Sequence, residues 1–200
     1  MTSSSATAAF LDRDGTLNEE KGYIRVVDDL ELLPGAAQAV RHLNDHGILA
    51  ILTTNQSGVA RGFYGEDHLH ALHARLETLL WDQAQAKLDA IYYSPYLPHG
   101  SVDAFAKDTP CRKPNTGMID AACERFPSIN RTASYVFGDK VTDVDFAHNA
   151  GCHSVLLKTG YGTRVLEGKY QTITTPPAFV FDTILDAVQT LFPQPAVLLP

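Results

Sequence analysis

Two hundred residues suit one domain with a sizeable core, and the balance of 44% apolar to 20% charged residues excludes a disordered or fibrous chain. A net charge of −7 disfavours nucleic acid, whose phosphates reward clustered Lys and Arg, yet leaves room for a small anion met by a few converging basic groups. Three unpatterned cysteines (Cys111, Cys123, Cys152), no apolar run of membrane length, and an opening "MTSSSATAA" without a basic leader or apolar core point to a reducing, cytoplasmic setting with no membrane partner.

Residues 1–7 read as a short disordered tail, 8–192 as the domain and 193–200 as a loose C-terminal tail. "AAFLD" (8–12) is the first buried strand. A helix over 34–47 starts at Pro34-Gly35 and stops at Gly47. Strand two is "ILAILTTN" (48–55); a long helix follows over 65–87, with Leu69, Leu72, Leu76 and Leu79 or Leu80 on one stripe. "AIYYSPY" (90–96), a helix at 115–126, "SYVFGD" (134–139), a helix at 143–151 and "HSVLLKTG" (153–160) continue the alternation. A last strand and helix fit within 178–192. Strand–helix alternation predicts an α/β, Rossmann-like three-layer sandwich around a central parallel sheet. The segment 18–34 is too short to form a large cap domain.

In such sheets the site lies beyond the carboxyl ends of the strands, and polar punctuation falls there. Strand one ends in Asp12-Arg13-Asp14, strand two in Thr53-Thr54-Asn55 and strand four in Gly138-Asp139-Lys140. Arg112-Lys113 precedes the helix between strands three and four. Asp12 and Asp139, with the Asp14 carbonyl, form a hard oxygen set suited to Mg²⁺, which also relieves the repulsion of crowded carboxylates. A carboxylate is a competent nucleophile toward phosphorus, and a second acid beside it can protonate the leaving oxygen and later activate water. Thr54 and Lys113 suit the oxygens of a moving phosphoryl group.

Each feature has a plainer reading. Paired acids before a Gly often make only a turn, and Asp139 alone could cap the next turn. His68, His70 and His73 on one helix read as solvated surface, Cys123 and Cys152 as core, and Trp81 as packing. Arg61 suits either a second phosphate or a surface ion pair.

"DRDGT", "TTN", "RKP" and "GDKVTD" stand in the order found in the haloacid dehalogenase superfamily, which the chain resembles. "FLDRDGTLNEEKGY", "TNQSGVARG", "CRKPNTGM" and "GDKVTDVDFAHNAG" are closer still to the D-glycero-D-manno-heptose 1,7-bisphosphate 7-phosphatases, with the histidinol-phosphate phosphatases sharing much of the pattern. The likeness runs from about residue 8 to about 162. It implies that Asp12 is nucleophile and Mg²⁺ ligand, and that Asp14 is general acid/base and ligates through its carbonyl. It further implies that Thr54 and Lys113 stabilise the phosphoryl group and that Asp139 completes the metal site. Arg112 and Lys140 would contact substrate, and Glu20, Lys21, Gly22, Tyr23, Asn55, Gln56 and Ser57 would line the pocket. Asp143 would orient Lys140 or metal-bound water.

The resemblance implies hydrolysis of a small sugar phosphate, first a heptose 1,7-bisphosphate at C7 for lipopolysaccharide or surface-glycan precursors, with histidinol phosphate as the alternative. A non-catalytic sugar-phosphate binding module is a third reading, disfavoured because binding alone needs no paired Asp12 and Asp14. A monomer is expected. The family's zinc loop carries Cys-x-His after strand three and Cys-x-Cys before the Arg-Lys pair. Here Ser94 and Tyr96 replace the first pair, Thr109 replaces one Cys of the second, and only Cys111 remains. One thiolate cannot hold a structural zinc, even with His99 nearby, so no zinc is expected. Pro95, Pro98 and Pro110, with Tyr96 packed on Phe105, are the restraints expected in its place.

Overall fold

A computed structural model of the chain describes residues 5–193. The six strands of the described residues join one parallel sheet in the order β3-β2-β1-β4-β5-β6. The strands are β1 (Ala8–Leu11), β2 (Leu49–Asn55), β3 (Ala90–Ser94), β4 (Tyr135–Gly138), β5 (His153–Leu157) and β6 (Phe179–Phe181). The helices are α1 (Ala36–Asp45), α2 (Glu66–Ala84), α3 (Gly117–Arg125), α4 (Val141–Ala150), α5 (Gly162–Leu166) and α6 (Ile184–Leu191). Every strand expected from the sequence is present, with ends shifted by a few residues; α4 starts two residues early, at Val141. The short helix α5 has no counterpart in the sequence reading. Among the described residues no helix is long and apolar enough to cross a membrane.

Both faces of the sheet are covered. Along β1, Ala9 and Leu11 turn toward α1, α2 and α6, meeting Val40, Leu43, Leu72, Leu76, Leu80 and Val188. Ala8 and Phe10 turn the other way, toward Met118, Ile119 and Ala122 of α3 and Phe146 and Ala147 of α4. Side chains alternate across a strand, so a strand buried on both faces must be apolar throughout, and β1 is. The leucine stripe of α2 is buried as its spacing requires. Trp81, on the opposite side of that helix, is 54% exposed and so is not a packing residue.

Two expectations change at the chain's start and on α2. Ala6 and Thr7, read as tail, are tied in: Ala6 exchanges backbone hydrogen bonds with Ser128 and Asn130, and the Thr7 carbonyl accepts from Leu49 N–H. The remaining tail assignments, 1–4 and 194–200, lie outside the described residues. His73 is buried rather than solvated, because its place on α2 points inward with the leucines.

The chain steps from β1 outward through β2 to β3, then returns to the far side of β1 to lay down β4. That reversal leaves a crevice at the carboxyl end of β1, between its neighbours β2 and β4.

Candidate active site

The crevice at the end of β1 is a pocket of ≈ 290 Å³, close to the lower limit of ordinary small-molecule sites, about 300 Å³. Asp12, Asp14, Thr54, Lys113, Asp143 and Lys140 all line it. Asp12 follows directly on β1 and continues its pairing by donating from its N–H to the Phe137 carbonyl of β4. Thr54 sits on β2, one strand over, and Asp139 ends β4 on the other side. Lys113 comes from the loop before α3 and is joined to Pro114 by a cis bond. Its backbone is pinned by Asn55, whose side-chain amide donates to the Lys113 carbonyl and accepts from the Lys113 N–H at 3.1 and 3.0 Å.

Lys113 is the electrostatic centre. Its ammonium donates to Asp12 Oδ1 at 2.9 Å, Asp143 Oδ1 at 2.5 Å and the Thr53 carbonyl at 3.0 Å. Burial would drag the lysine down, but Asp12 and Asp143 more than offset it and hold the amine above its usual value. Burial pushes Asp12 up, yet Lys113 and Lys140 outweigh it and keep this carboxyl below the ordinary Asp range. Asp143 goes the other way: burial, helped by Asp12, lifts it despite Lys113. Its second oxygen accepts from the Lys140 N–H at 3.1 Å and caps α4. Asp143 therefore braces the Lys113 side chain and the Lys140 backbone, whereas the Lys140 ammonium has other partners.

Those partners are oxygens. Lys140 Nζ lies 2.8 Å from Glu20 Oε2, 3.3 Å from Asp139 Oδ1 and 3.5 Å from the Asp14 carbonyl. Asp139 is fully buried, and its Oδ1 accepts no hydrogen bond; Oδ2 accepts from the Tyr161 N–H at 2.7 Å. Burial lifts Asp139 to about 7; Lys140 opposes the rise, and the charges of Asp12 and Asp143 add to it. Gly15, at φ +85°, explains part of the "DRDGT" pattern, because a Cβ there would overlap the Asp139 carboxylate. Carboxylate oxygens of Asp12, Asp139 and Asp143 lie within 4.8 Å of one another, which makes a buried acidic cluster able to hold a cation.

The remaining expected pocket residues divide. Glu20, Gly22, Tyr23, Asn55, Ser57 and Arg112 line the pocket. Lys21 does not: its ammonium turns away to the Asp29 carbonyl and Glu31 at 3.0 and 2.7 Å. Gln56 reaches the pocket wall, but its amide faces Asp14 and Thr54. Arg112 donates to the Tyr96 carbonyl at 2.8 Å, which couples it to the loop after β3. Arg61 is in none of the salt bridges among the described residues and lies 6.0 Å over the Tyr23 ring. In that loop Cys111 Sγ lies 3.1 Å from Thr109 Oγ1 and 3.6 Å from Ser94 Oγ, and Tyr96 packs on Phe105 at 5.9 Å.

Past β5, sequence reasoning missed three wall residues, Tyr161, Tyr170 and Gln171. Tyr161 and Tyr170 stack with ring centres 4.2 Å apart, and Gln171 Oε1 is buried without a partner. They follow β5, beyond the motif-bearing part of the chain, and no spacing signal marks them. Thr142, on the first turn of α4, was missed likewise.

Acids on the central strand, with a hydroxyl, an amine and a further acid delivered by its two neighbours and one loop, are the arrangement of the HAD-like hydrolases. A family described as HAD-hydrolase-like matches residues 110–187. The D-glycero-D-manno-heptose-1,7-bisphosphate 7-phosphatase of Thermosynechococcus vestitus is 51% identical over 185 residues, covering 91% of this chain and 93% of that protein. The D-glycero-beta-D-manno-heptose-1,7-bisphosphate 7-phosphatase of Escherichia coli K12 is 36% identical over 187 residues, covering 94% and 92%. The crystal structure of D,D-heptose 1,7-bisphosphate phosphatase from B. bronchiseptica, complexed with magnesium and phosphate, superposes with a TM-score of 0.79 at 30% identity, covering 92% of this chain and 97% of that one. The chain belongs to the heptose-1,7-bisphosphate 7-phosphatase family and is a HAD-type phosphatase.

Proposed function

We propose that this phosphatase removes the C7 phosphate of D-glycero-D-manno-heptose 1,7-bisphosphate through a phosphoaspartyl intermediate on Asp12. The observation behind the reading is the Lys113–Asp12 contact at 2.9 Å: a buried carboxylate kept ionised at the floor of a small pocket, with Thr54 and Asp14 in the same wall. Ionisation makes Asp12 a nucleophile at neutral pH. Asp12 forms the bond to phosphorus as the ester oxygen departs, and Asp14 gives that oxygen its proton. Water then breaks the acyl phosphate, with Asp14 taking the proton back, and inorganic phosphate leaves. Thr54 and Lys113 face the charge that builds on the phosphoryl oxygens.

Mg²⁺ is the fitting metal. The donors are all hard oxygens, and buried Asp139 Oδ1 accepts no hydrogen bond and has only the Lys140 ammonium, at 3.3 Å, to offset its charge within a cluster of three acids. Asp12, Asp139 and the Asp14 carbonyl would hold it. When bound it neutralises charge on the carboxylates and the phosphoryl group. We propose no zinc: Cys111 Sγ hydrogen bonds to both the Ser94 and Thr109 hydroxyls, and the three offer one thiol among them. Arg112, flanking the pocket, suits the substrate's second phosphate, and a cytoplasmic monomer is the simplest working form.

Parallel assays test the reading. kcat/KM for the heptose bisphosphate should exceed that for histidinol phosphate, and Asp12→Asn should abolish Mg²⁺-dependent phosphate release without unfolding. Preference for histidinol phosphate would reverse the substrate assignment, and turnover by Asp12→Asn would remove the covalent route. Gel filtration checks the monomer.

A further inference from the structure

Gln56 is 3% exposed, and its amide is used completely. Its nitrogen donates to Asp14 Oδ2 at 2.8 Å and to Thr54 Oγ1 at 2.9 Å. Its oxygen accepts from Arg13 at 3.0 Å and from the Tyr64 hydroxyl at 3.3 Å. A primary amide has two donors and two acceptor sites, so no hydrogen bond is left for a substrate. The orientation is fixed by charge as well: reversing the amide would set its oxygen against the Asp14 carboxylate and its NH₂ against the Arg13 guanidinium.

Arg13 completes the brace. It is 1% exposed, the largest fully buried side chain of the described residues. Its Nε and one terminal nitrogen reach Asp14 Oδ1 at 3.2 and 3.1 Å, and that same terminal nitrogen lies 3.0 Å from Oδ2. Asn18 adds a third donor to Oδ1 at 3.0 Å. Both Asp14 oxygens are thus held by fixed donors, and a rigid guanidinium fork sets the carboxylate plane. Asp14 nevertheless lines the pocket.

We infer that Gln56, braced by Arg13, is the positioning residue that aims the Asp14 carboxylate into the pocket. The inference rests on Asp14 being the general acid of the proposed function. Gln56 lies just past β2 and Asp14 just past β1, so one amide ties the proton donor to the strand end that carries Thr54. Because Thr54 Oγ1 accepts from Gln56, its single proton is free to turn toward a phosphoryl oxygen. Displacing a catalytic group by about 1 Å can cost on the order of a hundredfold in rate.

The test compares phenyl phosphate with para-nitrophenyl phosphate, two substrates of one shape whose leaving groups differ in their need for a proton. kcat/KM reports phosphoryl transfer to Asp12. Asp14→Asn should depress phenyl phosphate far more than the nitro compound. Gln56→Met, which keeps length and loses the amide, should shift the same ratio in the same direction by about tenfold or more. Arg13→Lys, which keeps the charge and loses the fork, should do so too and tests the brace separately; if Gln56→Met does not fold, Gln56→Ser, which leaves room for water and also removes the amide donor, takes its place. Any effect through Thr54 falls on both substrates and cancels in the ratio. Equal losses on both substrates, or no loss, in a folded Gln56→Met enzyme whose Asp14→Asn counterpart shows the shift would overturn the positioning role alone. An unchanged ratio in Asp14→Asn would overturn the acid assignment beneath it.

Discussion

Lys113 and Asp143 meet at 2.5 Å, both almost wholly buried, with Asp12 only 2.9 Å from the same ammonium. "GDKVTD" makes this possible at its first residue, since a Cβ on Gly138 would overlap the Asp143 carboxyl. The two ends of the pair should respond differently to removal. Asp143 is lifted by burial and by Asp12, so its charge is held at a cost. Asp143→Asn should therefore lose little stability while lowering kcat, because the ammonium is no longer pulled into place. Lys113→Met leaves two buried carboxylates without their cation and should lose about 3–5 kcal/mol of stability together with activity. Urea unfolding and initial rates on both variants check the contrast.

The strands, the parallel sheet and the strand-end polar groups were legible because both-face burial leaves long apolar runs and the chemistry falls where those runs stop. Asp12, Thr54 and Asp139 follow from that rule, whereas Lys113, on the loop before α3, stood out by its basic pair with Arg112 and by the family resemblance. Side-chain direction does not. Lys21 and Gln56 sit in the right loops, yet Lys21 turns to Glu31 and Gln56 to Asp14, choices made by partners distant in sequence. His73 looked like surface because its neighbours His68 and His70 are polar, but its register on α2 puts it inside. The wall made by Tyr161, Tyr170 and Gln171 was illegible because all three lie in turns and bends flanking short α5, where no strand or helix periodicity marks a side chain's direction.

Buried His73 sets an acid limb of stability. Burial, joined by the Arg13 charge and by His70, lowers its pKa from 6.5 to about 3 despite Asp14. Below 6.5 the unfolded chain takes up a proton that the native state refuses, so stability falls as pH drops from 6.5 toward 3. His73→Leu removes that linkage. Relative to wild type, the variant should gain about 2 kcal/mol at pH 5 over its standing at pH 8. Parallel denaturant melts at the two pH values measure it; an unchanged gap would mean His73 is protonated in the native state.

Mg²⁺ binding should be linked to protons through Asp139. Burial raises this carboxyl to about 7, so below that pH a proton competes for the oxygens a divalent ion needs. Apparent Mg²⁺ affinity should be flat above pH 7 and fall by about tenfold per unit below it. Asp139→Asn should abolish tight binding at every pH. Titration calorimetry from pH 6 to 8 supplies the slope, and a flat response would show that Asp139 is already ionised across this range.

The loop after β3 offers a constructive test of the zinc-free reading. Cys111 Sγ lies 3.1 Å from Thr109 Oγ1 and 3.6 Å from Ser94 Oγ, near the roughly 3.8 Å between sulfurs that share a tetrahedral zinc with bonds of about 2.3 Å. The Ser94, Thr109 and Cys111 side chains already converge, with different donor chemistry, while Tyr96 packs on Phe105 and a histidine there would have to turn toward them. Wild-type protein should carry no zinc by metal analysis. Ser94→Cys, Tyr96→His and Thr109→Cys together should retain one equivalent and raise the melting temperature, in a manner reversed by a chelator. Absence of zinc in the triple variant would locate the obstacle in the loop backbone.

Gln171 should be a sugar-recognition residue. Its Oε1 is buried in the pocket wall with no donor, beside the stacked rings of Tyr161 and Tyr170. A buried acceptor without a partner is costly, and a substrate hydroxyl would relieve that cost. Gln171→Leu should therefore raise KM for the heptose bisphosphate by about tenfold, equivalent to one hydrogen bond of about 1.4 kcal/mol, with kcat little changed. Phenyl phosphate has no hydroxyl to offer, so its KM should stay where it was. A rise on both substrates would mean that the substitution had deformed the wall, and a rise on neither would place the sugar on the Tyr23 side of the pocket instead.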